Sequence, residues 1–273
     1  MTTGAGVDEQ RTVAEAVAAA RPPYEPLAGR TALITGGSRG LGREIAIAFA
    51  AAGADVALVS RKREACEALA GEIAAATGRR VTAHAAHVGD WDRLGTLLDE
   101  VAEELGEVDV LVNNAGIAPL YPSLDEVTED LFDKVIAVNL KGPFRLMAAA
   151  GRRMAARDGG VILNISSIAS SRPTAADLPY AAAKAALNTL TAGFAQEYGP
   201  TVRVNTILAG PFFTDISKAW DMDAFGAMAE EWPAQRGGDP SEITGAALYL
   251  CGPAASYTTG ALLAVDGGRL AAP

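Results

Sequence analysis

A chain of 273 residues, 49% hydrophobic and 21% charged, is long enough to bury the core of one large α/β domain. Its formal net charge of −10 excludes nucleic acid and anionic membrane surfaces as partners, since both need clustered Lys and Arg. Two cysteines (Cys66, Cys251) and two histidines (His84, His87) are too few for a disulfide framework or a zinc site, and neither a membrane-length apolar run nor a secretory pattern is present, so a metal-free cytoplasmic protein is expected.

Residues 1–28 read as a leader. Thr12 to Ala20 is Ala-rich and suits a short helix that Arg21-Pro22-Pro23 stops. A flexible segment is expected, the alternative being an arm on a neighbouring subunit. From residue 29 to 273 the pattern predicts one domain. Short apolar or β-branched runs recur at Thr31–Thr35, Asp55–Val59, Val81–Ala85, Asp109–Asn113, Val161–Ile165, Val202–Leu208 and Ala261–Val265. Segments of helical spacing lie between them, among them Arg43–Ala52, Glu64–Thr77, Asp92–Leu105 and Ala181–Tyr198. Strands of this kind, each followed by a helix, predict a Rossmann-type doubly wound α/β domain. Its seven-stranded parallel sheet carries helices on both faces and binds ligands beyond the carboxyl ends of the strands. Residues 215–239, with Trp220, Met222, Phe225, Met228 and Trp232, follow the sixth strand and read as an apolar substrate lid.

Directly after the first strand stands Thr35-Gly36-Gly37-Ser38-Arg39-Gly40-Leu41-Gly42, opening a helix. Glycines let a ligand approach the main chain, and the helix start offers free N–H groups to a pyrophosphate. The same residues also spell G-x-S-x-G, a hydrolase nucleophile elbow at Ser38. That chemistry needs a histidine late in the chain, and no histidine follows His87. Ser60-Arg61-Lys62 at the end of the second strand contains no carboxylate for the ribose hydroxyls of NAD. With Arg39 nearby, this favours the extra phosphate of NADP(H), leaving NAD(H) as the alternative.

Tyr180 and Lys184 are four apart on a predicted helix and share a face. A phenol of pKa about 10 works near neutrality only if a neighbouring cation favours the phenolate, which Lys184 can supply. Tyr180 then gives a proton to a carbonyl that receives hydride, or takes one from an alcohol. Ser167, ending the fifth strand, can hold the same oxygen, whereas strand alternation sends Ser166 the other way. A non-enzymatic nucleotide sensor has no need of all three groups.

In order, TGGSRGLG at 35–42, NNAG at 113–116, Asn139 within VNLKGPF, ISS at 165–167 and YAAAK at 180–184 resemble the short-chain dehydrogenase/reductase family across roughly residues 27 to 268. Within it the chain looks most like gluconate 5-dehydrogenase-like and 3-oxoacyl-[acyl-carrier-protein] reductase-like members. The resemblance implies a catalytic set of Asn139, Ser167, Tyr180 and Lys184, with Asn139 holding a water that links Lys184 to solvent. It implies a cofactor set of Gly36, Ser38, Arg39, Gly40, Leu41 and Gly42; Ser60 and Arg61; His87 and Val88; Asn113, Ala115 and Gly116; Tyr180 and Lys184; and Gly210, Phe212 and Thr214. Lys184 would bind the nicotinamide ribose, Asn113, Ala115 and Gly116 would line the adenosine side, and Thr214 would meet the nicotinamide amide. A small-molecule carbonyl or alcohol substrate and a homotetramer, or a dimer, are implied as well. The chain departs from the family at His87, where an Asp that touches adenine is usual and Asp90 is the candidate to compensate. It departs again at Ala209-Gly210-Pro211, where Pro-Gly is usual. Tyr121, Phe212, Phe213, Trp220, Met222 and Phe225 together predict a fairly apolar substrate pocket.

Overall fold

Strand pairing organises the chain. In the computed structural model, which describes residues 12–20, 25–215, 217 and 221–272, seven strands form one parallel sheet. They are β1 (Thr31–Thr35), β2 (Asp55–Ser60), β3 (Val81–Ala85), β4 (Val110–Asn113), β5 (Gly160–Ser167), β6 (Val202–Ala209) and β7 (Leu262–Val265), in the order β3-β2-β1-β4-β5-β6-β7. Every position of β1 is buried, as a parallel strand covered on both faces requires. β5 and β6 run to Ser167 and Ala209, further than expected, because the two pair continuously from Gly160↔Val202 to Ser167↔Ala209.

Helices complete both layers. One face carries α1 (Val13–Ala20), α2 (Gly40–Ala51), α3 (Arg63–Thr77) and α9 (Thr244–Cys251), with Ile45, Phe49, Ile73 and Leu250 in its core. The other carries α4 (Trp91–Leu105), α6 (Gly142–Ala155) and α7 (Leu178–Tyr198), with Leu97, Leu146 and Leu187 in the second core. Strand alternation splits the sheet between them: Ala32 and Ile34 enter the first core and Leu33 the second. The remaining helices are α5 (Glu129–Ile136), which runs through a π turn at Ala137–Lys141 into α6, and α8 (Met222–Ala229) after β6. No helix among the described residues is long and apolar enough to cross a membrane.

The leader requires a correction. Val13, Ala16 and Val17 of α1 lie at helical spacing, are buried, and join the core that contains Ile45 and Phe49. Leu27 is equally buried, and its N–H donates to Ala52 O at 3.0 Å. The described part of the leader is therefore packed structure, because α2 and α3 leave an apolar face for it to cover. The Arg21-Pro22-Pro23 stop lies outside the described residues.

The chain proceeds outward from β1 through β2 to β3, then returns to place β4 on the other side of β1. This reversal parts the loops beyond β1 and β4, and ligands of such sheets bind in the crevice so formed.

Candidate active site

The glycine turn leaves β1 with Gly36 and Gly40 at φ +65° and +53°, which L side chains rarely adopt. A Cβ on Gly42 would stand 2.3 Å from Gly36 O and 2.5 Å from Asn114 Nδ2, so the turn closes tightly only because that position lacks a side chain. Asn114 holds the turn from across the crevice: Nδ2 donates to Thr35 O at 2.9 Å and Gly36 O at 3.2 Å. Thr35 Oγ1 donates to Val112 O at 3.2 Å and accepts from Asn114 N at 3.0 Å and Ala115 N at 3.1 Å. Ser38 and Leu41 are half-buried in the turn, and Thr214, from the loop after β6, lies over Gly40 with Cγ2 3.4 Å from the position of a Cβ there.

Neither Thr35 nor Asn114 was singled out from the sequence, although both stand inside the quoted motifs. Asn113 was singled out, and its side chain turns elsewhere. It is 2% exposed and donates through Nδ2 to Asn164 Oδ1 at 2.9 Å, on the face of α6 and α7. Asn164 continues to Thr191 Oγ1 at 2.9 Å, and Thr191 to Thr206 Oγ1 at 2.7 Å. Alternation along β4 was the available signal: Leu111 faces the second core, so Asn113 does too. Any contribution of Asn113 to the adenosine side is left to its backbone.

At the far end of the crevice, Ser60 Oγ donates to Lys62 O at 2.8 Å and accepts from Cys66 Sγ at 3.2 Å. Arg61 and Lys62 are exposed, and no ion pair among the described residues holds either one. Arg39 is exposed and paired with Asp215 Oδ2 at 3.1 Å, across the crevice. Exposed His87 accepts from Gly89 N through Nδ1 at 3.1 Å, the turn-forming contact that a carboxylate makes at such a position. Asp90, the candidate to compensate for the missing Asp, uses Oδ1 to cap α4, accepting from Arg93 N at 3.1 Å. Val88 is buried beneath this loop, its carbonyl packed against Gly142.

Between these ends lie the four side chains expected to be catalytic. Ser167 closes β5, its Oγ accepting from Ala169 N at 3.1 Å and lying near enough to the Tyr180 phenol to lower its pKa. Ser166 is buried and donates to Lys184 O at 3.3 Å, facing away as alternation requires. Lys184, one turn beyond half-buried Tyr180 on α7, places Nζ 5.6 Å from the centre of the Tyr180 ring and donates to Ile165 O at 2.8 Å. Asn139 sits fully buried in the π turn, a helix irregularity frequent at functional sites. Its Oδ1 accepts from Ile117 N at 3.2 Å, and Nδ2 donates to Ile117 O at 2.9 Å and Val135 O at 3.0 Å. The space that Gly116 leaves lies between Asn139 and Lys184, 2.9 Å from Oδ1 and 3.6 Å from Nζ when measured from a Cβ there.

Burial governs the two titrating groups. It raises the Tyr180 phenol above 10, the nearby Ser167 hydroxyl pulls it down, and the Asp177 charge pushes it up again, so the group is protonated at neutral pH. Lys184 is lowered by burial to about 8 and is mostly an ammonium at pH 7. Burial thus sets the net direction at the phenol, while Lys184 stands with Nζ 5.6 Å from its ring centre, on the shared face read from the sequence.

Several expected site residues have other tasks. Phe212 is 6% exposed in the first core, with its ring over Gly238. Gly210 donates to Val265 O at 2.9 Å, and a Cβ there would meet Asp266. Phe225 is buried with Ala229, Trp232 and Ala272 in a small separate core, leaving Phe213 and Met222 as exposed apolar surface. Tyr121 spends its hydroxyl on neighbouring backbone, and Trp220 lies outside the described residues. As for Ser38 as a nucleophile, buried His84 contacts Thr82 Oγ1 at 2.9 Å and His87 holds its own loop, which leaves no base for a hydrolase. Among the described residues no group of three or more His, Cys, Asp or Glu can hold a metal ion.

The family described as Enoyl-(Acyl carrier protein) reductase matches residues 36–269. The chain is 41% identical to galactitol 2-dehydrogenase (L-tagatose-forming) of Cereibacter sphaeroides, over 89% of this chain and 95% of that one. It is 37% identical to D-threitol dehydrogenase of Mycolicibacterium smegmatis, over 89% and 93% respectively. Among solved structures, a blue fluorescent protein from a metagenomic library in complex with NADPH superposes with a TM-score of 0.83 at 37% identity, covering 89% of this chain and 98% of its own.

Proposed function

The chain belongs to the short-chain dehydrogenase/reductase family, and from that premise we propose that it transfers hydride between NADP(H) and the carbonyl or secondary-alcohol carbon of a small molecule, with Tyr180 moving the proton. The observation that carries this reading is the convergence of Ser167, Tyr180, Lys184 and Asn139 beside a glycine turn at the crevice where the sheet order reverses. The turn fits a dinucleotide, since it is closed around positions where a Cβ cannot stand. Gly40 and Gly42 would take the pyrophosphate on backbone N–H groups, while Gly36, whose own N–H donates to Val59 O at 2.8 Å, would shape the turn; Arg61, Lys62 and Arg39 would take a 2′-phosphate; Lys184 and Thr214 would take the nicotinamide half. When bound, the cofactor supplies or accepts the hydride.

The protein's part is proton transfer and positioning. Tyr180 and Ser167 hold the substrate oxygen together, and the protonated phenol stabilises the charge that builds there before giving up its proton. The Lys184 ammonium favours the phenolate left behind, and the gap at Gly116 beside Asn139 gives a water room to return the proton. His87 would meet the adenine, and Arg39 must exchange its partner Asp215 for a phosphate if it is to clamp one. Residues 215–239 are the lid, and residues 29–273 are the catalytic domain.

Two findings move the substrate away from the apolar class suggested by the sequence. Phe212 and Phe225 are committed to cores, and the named relatives act on galactitol and threitol. The proposed substrate is a short polyol and its keto form.

Binding of NADPH and NADH, followed by NADP-linked oxidation of galactitol, D-threitol and 2-octanol, tests the whole reading. NADPH is expected to bind about tenfold or more tightly than NADH, with Arg61→Asp reversing the order. A polyol is expected to turn over faster than 2-octanol. Failure to bind either nucleotide, or a preference for 2-octanol, overturns the corresponding half.

We also propose a homotetramer, or at least a dimer. Trp91, Leu140, Phe144 and Leu190 line an apolar groove of about 450 Å³ across α4, α6 and α7. At the sheet edge Tyr257 is fully exposed and Leu262 of β7 is 47% exposed. Such surface is unusual on a monomer. Light scattering should give a mass two or four times the 28.0 kDa of one chain, and Phe144→Glu should lower it. A monomeric wild type removes the proposal.

A further inference from the structure

The helix that carries Tyr180 is capped from a distance. Its first residue, Leu178, donates its N–H to Tyr121 Oη at 2.9 Å, across 57 positions of sequence. The same hydroxyl donates to Ala175 O at 2.6 Å, so one phenol ties down both the turn before α7 and the helix start itself. A helix start leaves its first N–H groups without intrahelical partners, and the residue before it commonly supplies one. Asp177 does not, for its carboxylate is turned back onto Thr174 N at 2.7 Å and Thr174 Oγ1 at 2.9 Å. Pro179, next in line, has no N–H to satisfy. Tyr121 thus performs the capping that the local sequence leaves undone.

The loop that carries Tyr121 is itself held at its other end. Ile117, just past β4, has both backbone groups bonded to the buried Asn139 amide. Between Ile117 and Tyr121 this loop joins the π turn of Asn139 to the start of α7, and Tyr180 is only two residues beyond Leu178.

We propose that Tyr121 is a positioning residue for hydride transfer: its hydroxyl fixes the first turn of α7, and through that turn the placement of the Tyr180 phenol against Ser167. The proposal rests on the reading of Tyr180 as the proton-transfer residue. Tyr121 is not a pocket wall in this scheme. Its ring can be kept while its function is removed, since only the hydroxyl makes the two contacts.

Tyr121→Phe in the full chain is the test, made with three measurements. Hydrogen exchange at the Leu178 amide should accelerate about tenfold or more, since an amide without its acceptor exchanges from a locally open helix start. With saturating NADP⁺ and the fastest-oxidised alcohol of the panel above, kcat should fall about tenfold while KM changes less than about threefold, as displacement of a reacting group slows chemistry more than binding. The primary isotope effect with that alcohol deuterated at carbon should rise, while NADPH affinity remains as in the wild type. Unchanged exchange at Leu178, or unchanged kcat and isotope effect, overturns the proposal. Tyr180→Phe run in parallel separates the two readings. If it is inactive while Tyr121→Phe behaves as wild type, only the role of Tyr121 fails. If Tyr180→Phe still turns over, the proton-transfer assignment fails and the role of Tyr121 goes with it.

Discussion

Tyr180→Phe is expected to lower kcat by about 10³-fold or more while NADPH affinity changes less than about twofold. The phenol holds its proton at neutral pH, since burial raises it above 10 and the Asp177 charge adds to that effect. Ser167 is a poor substitute. Its oxygen already accepts from Ala169 N at 3.1 Å, which orients the hydroxyl, and an aliphatic alcohol is a far weaker acid than a phenol. Phenylalanine preserves the ring beside Lys184, whose Nζ lies 5.6 Å from the ring centre, so the cofactor side of the pocket is undisturbed. The check is steady-state turnover in both directions beside a nucleotide titration. Retention of a tenth of wild-type kcat would move the proton transfer to another group.

The second large effect concerns stability as well as turnover. Lys184 is 3% exposed, and burial lowers it from 10.5 to about 8. A shift of that size corresponds to about 3 kcal/mol set against the charged form in the folded protein. Lys184→Met removes the charge with little change in volume and also removes the hydrogen bond to Ile165 O. The variant is expected to be about 1–2 kcal/mol more stable at pH 7, the lost hydrogen bond offsetting part of the gain. The sign of the pH dependence follows from proton counts. Between about 8 and 10.5 the unfolded chain keeps a proton on this lysine that the folded chain has released. Wild-type stability therefore rises with pH over that window, and the advantage of the variant is greatest below pH 8 and shrinks above it. Turnover should fall by about 10²-fold or more, because the phenolate formed at Tyr180 loses its neighbouring cation. Thermal melts at pH 7 and pH 10 beside kcat measure both parts. A variant less stable at every pH would mean that the Ile165 contact outweighs the buried charge.

Seven strands were legible in the sequence because a parallel strand buried on both faces is a local pattern that does not depend on its neighbours. The glycine turn was legible for a related reason: its conformation demands glycine at Gly36 and Gly40, whose φ values are positive. Tyr180 and Lys184 could be paired because one helical turn sets their separation. The same reasoning reached Ser167 over Ser166, since alternation within a strand is also local.

Other readings failed where a residue's task depends on contacts far along the chain. Asn113 and Asn114 are adjacent in one motif, yet one bonds Asn164 in the core and the other holds the glycine turn. The leader is expected to be flexible because chain ends commonly are, whereas α1 finds an apolar face that exists only once α2 and α3 are in place. Phe212 and Phe225 were counted as pocket residues because aromatic side chains follow the sixth strand, and packing turned both inward. By itself, then, the sequence determined the sheet, the tight glycine turn and the shared face of Tyr180 and Lys184, all consequences of short-range periodicity and backbone constraint. Only the tertiary structure decided which side chains face the crevice, which way burial moves Tyr180, and that Tyr121 caps α7, because each depends on segments brought together by long-range packing.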